Sequence, residues 1–327
     1  MDPVLAFAFA PDGSGGQVTP AARAADQLAP EGGFAWIHVN ASGPEGQGWI
    51  DQAGFDPLTR AALRATETRP RATVHGDTVL MALRGVNLNP GAEPEDMVSL
   101  RLFVSATLVV TVERRDLNAI DDVIAGLARG PGPGSAGELI ARIALRSADR
   151  AEPVVARLNE RIDDLEAASE GRRPPPGQRA ELANIRRMAI LMRRYMFPQR
   201  DALSSLEIED LPWLGAHARA RLREATERVT RLAEELDAIR DRAQVVHDMV
   251  MDRRAEAMNR QMLLLSVVSS VFLPLTFLTG LLGINVGGIP GSASPRAFWL
   301  VVALLSILAA ALVLLFRRLG LFGEKSE

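Results

Sequence analysis

The sequence predicts an α+β domain with a mixed sheet, followed by one long stalk helix and two transmembrane helices per protomer. Short β-prone runs alternate with helical patterns in the first part of the chain. No proline lies between Pro212 and Pro274, so nothing in that stretch stops a helix. No charged residue lies between Arg260 and Arg296. Apolar runs of about 20 residues are long enough to cross a bilayer core.

Composition excludes several classes of protein. The chain has 327 residues and a net charge of −3, which gives no sign of nucleic-acid binding. It contains no cysteine, which excludes disulfides, thiolate zinc sites and cysteine nucleophiles. There is no Ser-His-Asp set, phosphate loop or metal-hydrolase motif, so we expect neither an enzyme nor a bound cofactor. Met1–Ala10 lacks the pattern of a signal peptide, and we expect the N-terminal part to stay unexported.

Residues 1–137 are predicted to form the α+β domain. β-prone runs mark the strands Leu5–Ala10, Phe34–Asn40, Thr78–Leu83, Val98–Val104 and Leu108–Glu113. Helices are expected over Asp56–Ala65 and Leu117–Leu127, with Asp56 and Asp116 as N-terminal signals. Gly, Ser and Pro indicate loops at Pro11–Gly16, Ser42–Gly48 and Gly130–Gly137.

Residues 138–211 are predicted to form a helical hairpin. Glu138–Ala151 and Pro153–Ser169 form one or two helices, and Gln178–Leu206 forms another. The three consecutive prolines within Arg172–Gly177 indicate the turn between them.

Residues 212–261 are predicted to be the stalk helix, which continues into the membrane and carries two rows of side chains. The first row, called the seam below, keeps a 3-4 spacing typical of a packed face: Leu222, Ala225, Val229, Leu232, Leu236, Ile239, Ala243, Val246 and Val250. A helix from Ala216 to Leu282 would be about 100 Å long at about 1.5 Å per residue.

The second row, called the stripe below, runs without a phase break into the membrane segment: Asp241, Val245, Asp248, Asp252, Ala255, Asn259, Met262, Ser266, Ser269, Leu273, Thr276, Gly280 and Gly283. A lipid-facing helix has no reason to keep small and polar residues on one side, whereas copies of a helix around a wet axis do. We interpret the stripe as facing a symmetry axis. The alternative for its charged part is the solvated face of a coiled coil.

The last fifth of the chain is predicted to cross the membrane twice. The first span covers 262–285, an external loop 286–296, the second span 297–316, and a tail 317–327. Arg253, Arg254 and Arg260 precede the first span and Arg317 and Arg318 follow the second, whereas the loop holds only Arg296. The positive-inside rule therefore predicts a multi-pass protein of a bacterial-type inner membrane with both termini in the cytoplasm.

Several motifs carry a resemblance to a known family. Pro274-Leu275-Thr276-Phe277, with Gly280 and Gly283-Ile284-Asn285 after it, resembles the first-span signature of the CorA superfamily of divalent-cation transporters, except that Ile284 replaces the usual Met. Val286–Gly291 resembles the zinc-transporter branch of that superfamily rather than the magnesium branch. So do Glu67–Arg71 and Leu83–Gly91.

The resemblance implies a funnel-shaped homopentamer that passes divalent cations through an axial pore. Zinc would be the main substrate, with nickel, cadmium and cobalt as further passengers, and uptake could be coupled to protons; the alternative is a magnesium/cobalt channel. Residues that match the pore-facing positions are Asn259, Met262, Leu265, Ser269, Leu273 and Thr276. Ser266 and Gly280 join them through the stripe, and Leu265 lies one position off it.

The chemistry of these residues suits passage rather than storage of metal. A ring of Asn285 amides would meet the hydrated ion with neutral oxygens, although Asn285 is also a common helix C-cap. Met262, Leu265 and Leu273 would form apolar constrictions, or pack against other helices. Asp248 and Asp252 would concentrate cations at the cytoplasmic mouth, or be solvated. His247 beside Asp248 is a candidate regulatory metal ligand, or a structural histidine.

One reading comes from a different class of protein. The chain could be a membrane-anchored scaffold whose coiled coil only oligomerises, and such a protein would conduct no ions. The chain itself, lipid and divalent cations are the expected partners in the preferred reading.

Overall fold

The computed structural model describes residues 2–19, 28–66, 68–170, 177–284, 286–289, 291 and 294–319. The chain divides into two compact units, Met1–His247 and Asp248–Glu327. Each unit is described by itself.

The first unit contains a seven-stranded mixed sheet with the strand order β2-β1-β3-β7-β6-β5-β4. The strands are β1 (Val4–Phe9), β2 (Gly15–Val18), β3 (Phe34–Asn40), β4 (Arg71–His75), β5 (Thr78–Gly85), β6 (Val98–Val104) and β7 (Leu108–Glu113). β3 and β7 pair in parallel at the centre, and the other neighbours pair antiparallel. The predicted mixed sheet is therefore confirmed.

The centre of the sheet is covered on both faces. β7 is buried at every position and β3 at all but Asn40, as expected for continuous apolar strands with helices on each side. On one face, Ile37 and Val39 pack with Trp49, Ile50 and Leu63 from two short helices. The edge strands β2 and β4 are short and partly exposed.

The first of these two short helices contradicts the sequence interpretation, and the second confirms it. α1 spans Pro44–Gln52, where the sequence indicated a loop over Ser42–Gly48. α2 spans Pro57–Arg64, and its predicted cap is confirmed because the Asp56 carboxylate accepts from the backbone N–H of Leu58 (2.9 Å) and Thr59 (3.1 Å).

Further corrections concern the edges of the domain. Gly15 and Gly16, placed in a loop, belong to β2, and β4 was not predicted. α3 spans Asn118–Leu127, but its N-cap is Leu117 rather than Asp116. The Asp116 carboxylate instead accepts a hydrogen bond from the Asn40 side chain at 3.0 Å.

The helical hairpin consists of α4 (Ala136–Glu170) and α5 (Gln178–Ile208). α4 is a single helix that continues through Pro153. The predicted turn at Arg172–Gly177 lies outside the described residues except for Gly177. The hairpin contacts the sheet through β4 and β5, which places it beside the edge of the sheet opposite β2.

α6 is one helix of 68 residues, Ala216–Gly283, close to the predicted limits. All nine residues of the seam are buried, which confirms that this face packs on protein. Within the first unit α6 is also tied to the hairpin by ion pairs, Arg242 to Asp163 on α4 at 2.6 Å and Asp237 to Arg193 on α5 at 2.5 Å.

α7 spans Ala297–Arg318 and ends two residues beyond the predicted limit. Among the described helices, α6 and α7 are long and apolar enough to cross a membrane, as predicted.

Two glycines of α1 give opposite predictions for stability. A Cβ at Gly46 would stand 2.1 Å from the Asn40 carbonyl oxygen, whereas a Cβ at Gly48 would meet nothing within 4 Å. We expect Gly46→Ala to destabilise the protein by about 1–3 kcal/mol through overpacking. We expect Gly48→Ala to stabilise it by up to about 1 kcal/mol, because glycine lowers helix stability. Thermal unfolding of the detergent-purified chain measures both, and a stabilising Gly46→Ala would contradict the packing of α1.

Candidate functional site: an exposed stripe on the membrane helix

The stripe of α6 is exposed along its whole length in the described chain, from Asp241 to Gly283. The seam on the same helix is buried, so in the first unit it differs from the two stripe residues found there, Asp241 and Val245, which are exposed. Leu265, one position off the stripe, is 69% exposed, and Leu273 within it is 75% exposed. A single protomer therefore leaves both polar and large apolar side chains of this row uncovered.

A different row of the first span is the one that the second unit covers. On α6, Val267 is buried, and Val271, Leu275 and Leu278 are half-buried. α7 carries a matching half-buried row at helical spacing: Val301, Leu305, Leu308, Leu312 and Phe316. Because these are the less exposed rows of two helices in one compact unit, we infer that α6 and α7 pack through them.

The stripe lies on the side of α6 away from that packing row. At about 100° per residue, the residues from Met262 to Gly283 in the stripe fall within a sector of about 100°, centred about 180° from the row of Val267 and Val271. The side chains proposed to face the axis are thus turned away from α7 and left open to other molecules.

The outer end of the stripe is a helix terminus. α6 ends at Gly283, Ile284 follows with its side chain 48% exposed, and the Val286 N–H donates to the Ile284 carbonyl at 3.0 Å. Asn285, the predicted contact for the ion, lies outside the described residues. The motif is therefore described up to the residue that precedes the amide.

Gly280 and Gly283 make no close contact with the residues that the structure describes. A Cβ at either position would meet nothing within 4 Å. Glycine inside a helix costs roughly 0.5–1 kcal/mol relative to alanine. The described residues show no contact that would offset this cost, whereas close approach of another helix favours glycine.

Pro274 does not interrupt α6, although it provides no N–H for the carbonyl four residues earlier. Leu273, Pro274, Thr276 and Phe277 line an open hollow on the helix surface. One turn further on, the Thr279 hydroxyl donates to the Thr276 carbonyl at 3.0 Å. This turn therefore combines a missing backbone donor with the hydroxyl groups of Thr276 and Thr279.

The inner end of the stripe carries carboxylates. Asp248 and Asp252 are exposed, and His247 is half-buried. Within the described ranges, no group of three or more His, Asp or Glu side chains is placed to hold a metal ion. A metal at His247 and Asp248 would therefore have two protein ligands from one protomer and would take its other ligands from water or from further protomers.

Sequence spacing found the stripe but missed the row that packs on α7. The 3-4 pattern of Val267, Val271, Leu275 and Leu278 is present in the sequence. Most residues of the span are apolar, so an apolar row at helical spacing cannot be distinguished in the sequence from the residues around it. A row of small and polar residues at the same spacing can be distinguished.

The similarity to known proteins extends over most of the chain and is not limited to the site. The family model described as CorA-like Mg²⁺ transporter protein matches residues 31–318. The divalent cation transporter CmaX of Pseudomonas aeruginosa is 40% identical over 286 residues, which cover 87% of this chain and 86% of the relative. The zinc transport protein ZntB of Pectobacterium carotovorum is 38% identical over 284 residues, 86% of each protein.

Solved structures agree with these relatives. The structure of full-length CmaX matches with a TM-score of 0.81 at 37% identity and covers 98% of both chains. The CorA magnesium transporter from Methanocaldococcus jannaschii matches with a TM-score of 0.82 over 97% of this chain and 98% of the other. At 18% identity the second likeness shows the fold alone.

The opposed rows of the first span predict different access to water. The chain has no native cysteine, so single Ser269→Cys, Thr276→Cys and Val271→Cys variants need no background mutations. We expect a charged, membrane-impermeant thiol reagent to modify the first two much faster than Val271→Cys, because the thiolate forms in water and not at a helix contact. Mass spectrometry of protein in liposomes measures the rates. Fast modification at Val271→Cys with none at Ser269→Cys would reverse the assignment.

Proposed function

The chain belongs to the CorA-like family of Mg²⁺ transporter proteins, and on this premise we propose that it carries divalent cations, zinc first among them, through the axial pore of a homopentamer. Members of this family are transporters and not enzymes. The observation that carries the proposal is the exposed stripe of α6, which lies on the side of the helix opposite its less exposed row of Val267, Val271, Leu275 and Leu278.

Zinc is proposed from the similarity to ZntB at 38% identity and from the loop Val286–Gly291. Nickel, cadmium and cobalt are further candidates because the oxygen ligands offered here discriminate weakly among divalent ions. A magnesium/cobalt channel is the second candidate, supported by the description of the family model. The likeness to the magnesium transporter from M. jannaschii carries no argument about the ion.

A homopentamer supplies the missing neighbour of the stripe. Five copies of α6 with Ser266, Ser269, Thr276 and Gly280 turned inward would line a narrow wet passage. Glycine at positions 280 and 283 would then keep the passage open or let helices approach, which accounts for their cost in a single chain.

The roles along the pore follow from side-chain chemistry. Asn285, held by the end of α6 at Gly283 and Ile284, would contact the hydration shell of the ion through neutral amide oxygens. Such a ring attracts the hydrated ion without binding it too tightly for release. Met262, Leu265 and Leu273 would form apolar constrictions that close by excluding water.

The cytoplasmic mouth would be lined by Asn259, Asp252 and Asp248. A ring of carboxylates raises the local concentration of cations. His247 beside Asp248 would be a regulatory metal ligand, and further ligands would come from neighbouring protomers or water.

The proposed topology puts both termini in the cytoplasm of a cell with a bacterial-type inner membrane. Arg253, Arg254 and Arg260 lie on α6 before the apolar run, and Arg317 and Arg318 lie in the last turn of α7. The connecting loop holds only one basic residue, Arg296. The positive-inside rule therefore places the arginine-rich flanks in the cytoplasm and the loop outside.

Zinc flux into liposomes tests the proposal. We expect purified protein to admit zinc faster than magnesium, and a pH gradient to change the rate if protons are coupled to uptake. We expect Asn285→Ala to lower zinc entry to about the level of empty liposomes, because the ring of amide oxygens is lost. Ser294→Ala in the external loop that follows Asn285 is the control and should transport normally.

The outcomes separate the competing functions. Faster magnesium entry would favour the magnesium/cobalt channel. Absence of flux for every ion would favour a scaffold, and the chain would then differ in function from its transporter relatives. Undiminished zinc flux in Asn285→Ala would overturn the pore assignment.

The acidic mouth gives a salt-dependent prediction. We expect Asp252→Asn to slow zinc flux a few-fold at low ionic strength, because the concentration of cations by negative charge is lost. The difference should shrink near 0.1 M salt, where the Debye length falls to about 10 Å. Glu235→Gln, which removes an exposed charge from α6 outside the stripe, should leave flux unchanged. Equal effects of the two substitutions would place Asp252 on an ordinary solvated face.

A further inference from the structure

A cavity of about 630 Å³ in the first unit has no part in the proposed transport path. It opens beside the sheet where β5, β6 and the segment after β7 meet α5. Arginine side chains from all these elements and from the segment before β4 line it: Arg69, Arg84, Arg101, Arg114, Arg115 and Arg194. Among the residues described around it, Asp96 is the one acidic side chain.

The guanidinium groups are held mostly by neutral oxygens. Arg84 donates to the carbonyls of Thr68 (3.0 Å) and Met97 (2.6 Å). Arg101 donates to the carbonyl of Thr66 at 3.0 Å. Carbonyl groups fix the orientation of a guanidinium but leave its charge uncompensated.

The partners of the remaining arginines bring little negative charge to the cavity. Arg114 donates to the carbonyl of Arg64 at 3.0 Å, and Arg115 pairs with Asp96 at 2.9 Å. Arg194 approaches only the face of Tyr195, with 5.7 Å from its guanidinium carbon to the ring centre. In the described part of the chain, five of the six arginines thus have no carboxylate partner.

Arg101 shows that the positive charge is built in rather than solvated. Its side chain belongs to a residue that is 2% exposed, and its Nε has no hydrogen-bond partner among the described residues. The same holds for the buried Nε of Arg114. Burial, with Arg114 and Arg84 nearby, lowers the pKa of Arg101 to about 10, so the group stays charged at neutral pH. A buried, unpaired charge is costly unless something compensates it.

A second arginine-rich cavity in the same unit provides the contrast. It lies between α3, α4 and α6, and five of its six arginines have acidic partners in the described chain, such as Asp122 for Arg150 and Asp149 for both Arg146 and Arg228. That cavity is accounted for as a network of ion pairs. The cavity around Arg101 lacks the acids that would make it one.

Two sequence motifs that transport leaves unexplained meet at this cavity. Thr68 and Arg69 come from the run 67–71, and Arg84 comes from the run 83–91. The sheet register brings Arg84 opposite Ser99, two residues from Arg101. Glu67 itself lies outside the described residues.

We infer that this cavity binds a small oligophosphate, an anion that carries two or more phosphate groups. Several guanidinium forks from different elements suit the many oxygens of such a group, and guanidinium pairs well with phosphate in two-point contacts. The hydroxyls of Thr68 and Ser99 line the same cavity and hydrogen-bond each other, which leaves one of their two protons to donate to a ligand. Its volume exceeds that of a single halide and lies in the range of small-molecule sites.

Binding of inorganic pyrophosphate to the full-length, detergent-purified chain tests this inference. We expect saturable heat in titration calorimetry and a raised Tm, with sulfate and chloride at equal ionic strength much weaker. Phosphatidic acid added to the micelles distinguishes the source of the phosphate, because competition with pyrophosphate would indicate a lipid headgroup. Either source supports a phosphate site.

Variants locate the site. We expect Arg101→Gln to weaken pyrophosphate binding about tenfold or more, as expected for loss of a charged hydrogen bond. Because Arg101 is buried, the double variant Arg69→Gln with Arg194→Gln, both at exposed positions, provides a test that does not depend on folding of the core. Arg186→Gln, exposed on α5 outside the cavity, is the matched control and should bind normally.

The inference is overturned if the wild-type chain does not bind pyrophosphate, if chloride at equal ionic strength competes as well, or if the double variant binds as tightly as Arg186→Gln. These results would leave zinc flux untouched, so failure here is distinct from failure of the transport proposal.

Discussion

Burial of the seam on α6 is the constraint on which the rest of the molecule depends. Nine apolar side chains at 3-4 spacing are removed from water, and this fixes which side of the helix turns toward protein. Because α6 is one helix from Ala216 to Gly283, the angular separation of the stripe from the seam is set by sequence spacing.

The proposed assembly accounts for the residues of the exposed row. In one protomer, Leu265 and Leu273 are uncovered, and Gly280 and Gly283 weaken the helix without improving any contact in the described chain. Lipid could cover the leucines but would give no advantage to glycine and serine at the same spacing. Neighbouring copies of α6 around water account for both kinds of residue. For Asp248 and Asp252 the same argument is weaker, because an exposed carboxylate is at ease on any solvated face.

The sequence predicted best what depends on local patterns. β3, β6 and β7 were located to the residue because they are continuous apolar runs bounded by turns. α1 was missed because Pro44, Gly46 and Gly48 resemble a loop, although proline suits the first turn of a helix and Gly46 is required by the nearby Asn40 carbonyl. The stripe followed from spacing along one helix. The arginine cavity could not, because strand register and packing of α5 bring its members together across about 125 residues of chain.

The absence of charge in the two apolar runs limits how an ion can be moved. No Asp, Glu, Lys, Arg or His lies between Arg260 and Arg296, so no side chain there can carry a proton or replace the hydration of a divalent ion with charge. Contacts with neutral oxygens offset only part of the free energy that is needed to remove water from a divalent ion. An ion that keeps its water shell avoids this cost. Any coupling to protons must then act through water in the pore or at groups outside it, such as His247 and the carboxylates beside it. A passage of this kind would select ions by the size and firmness of their hydration shells more than by direct ligands, which fits a family whose members carry different divalent metals.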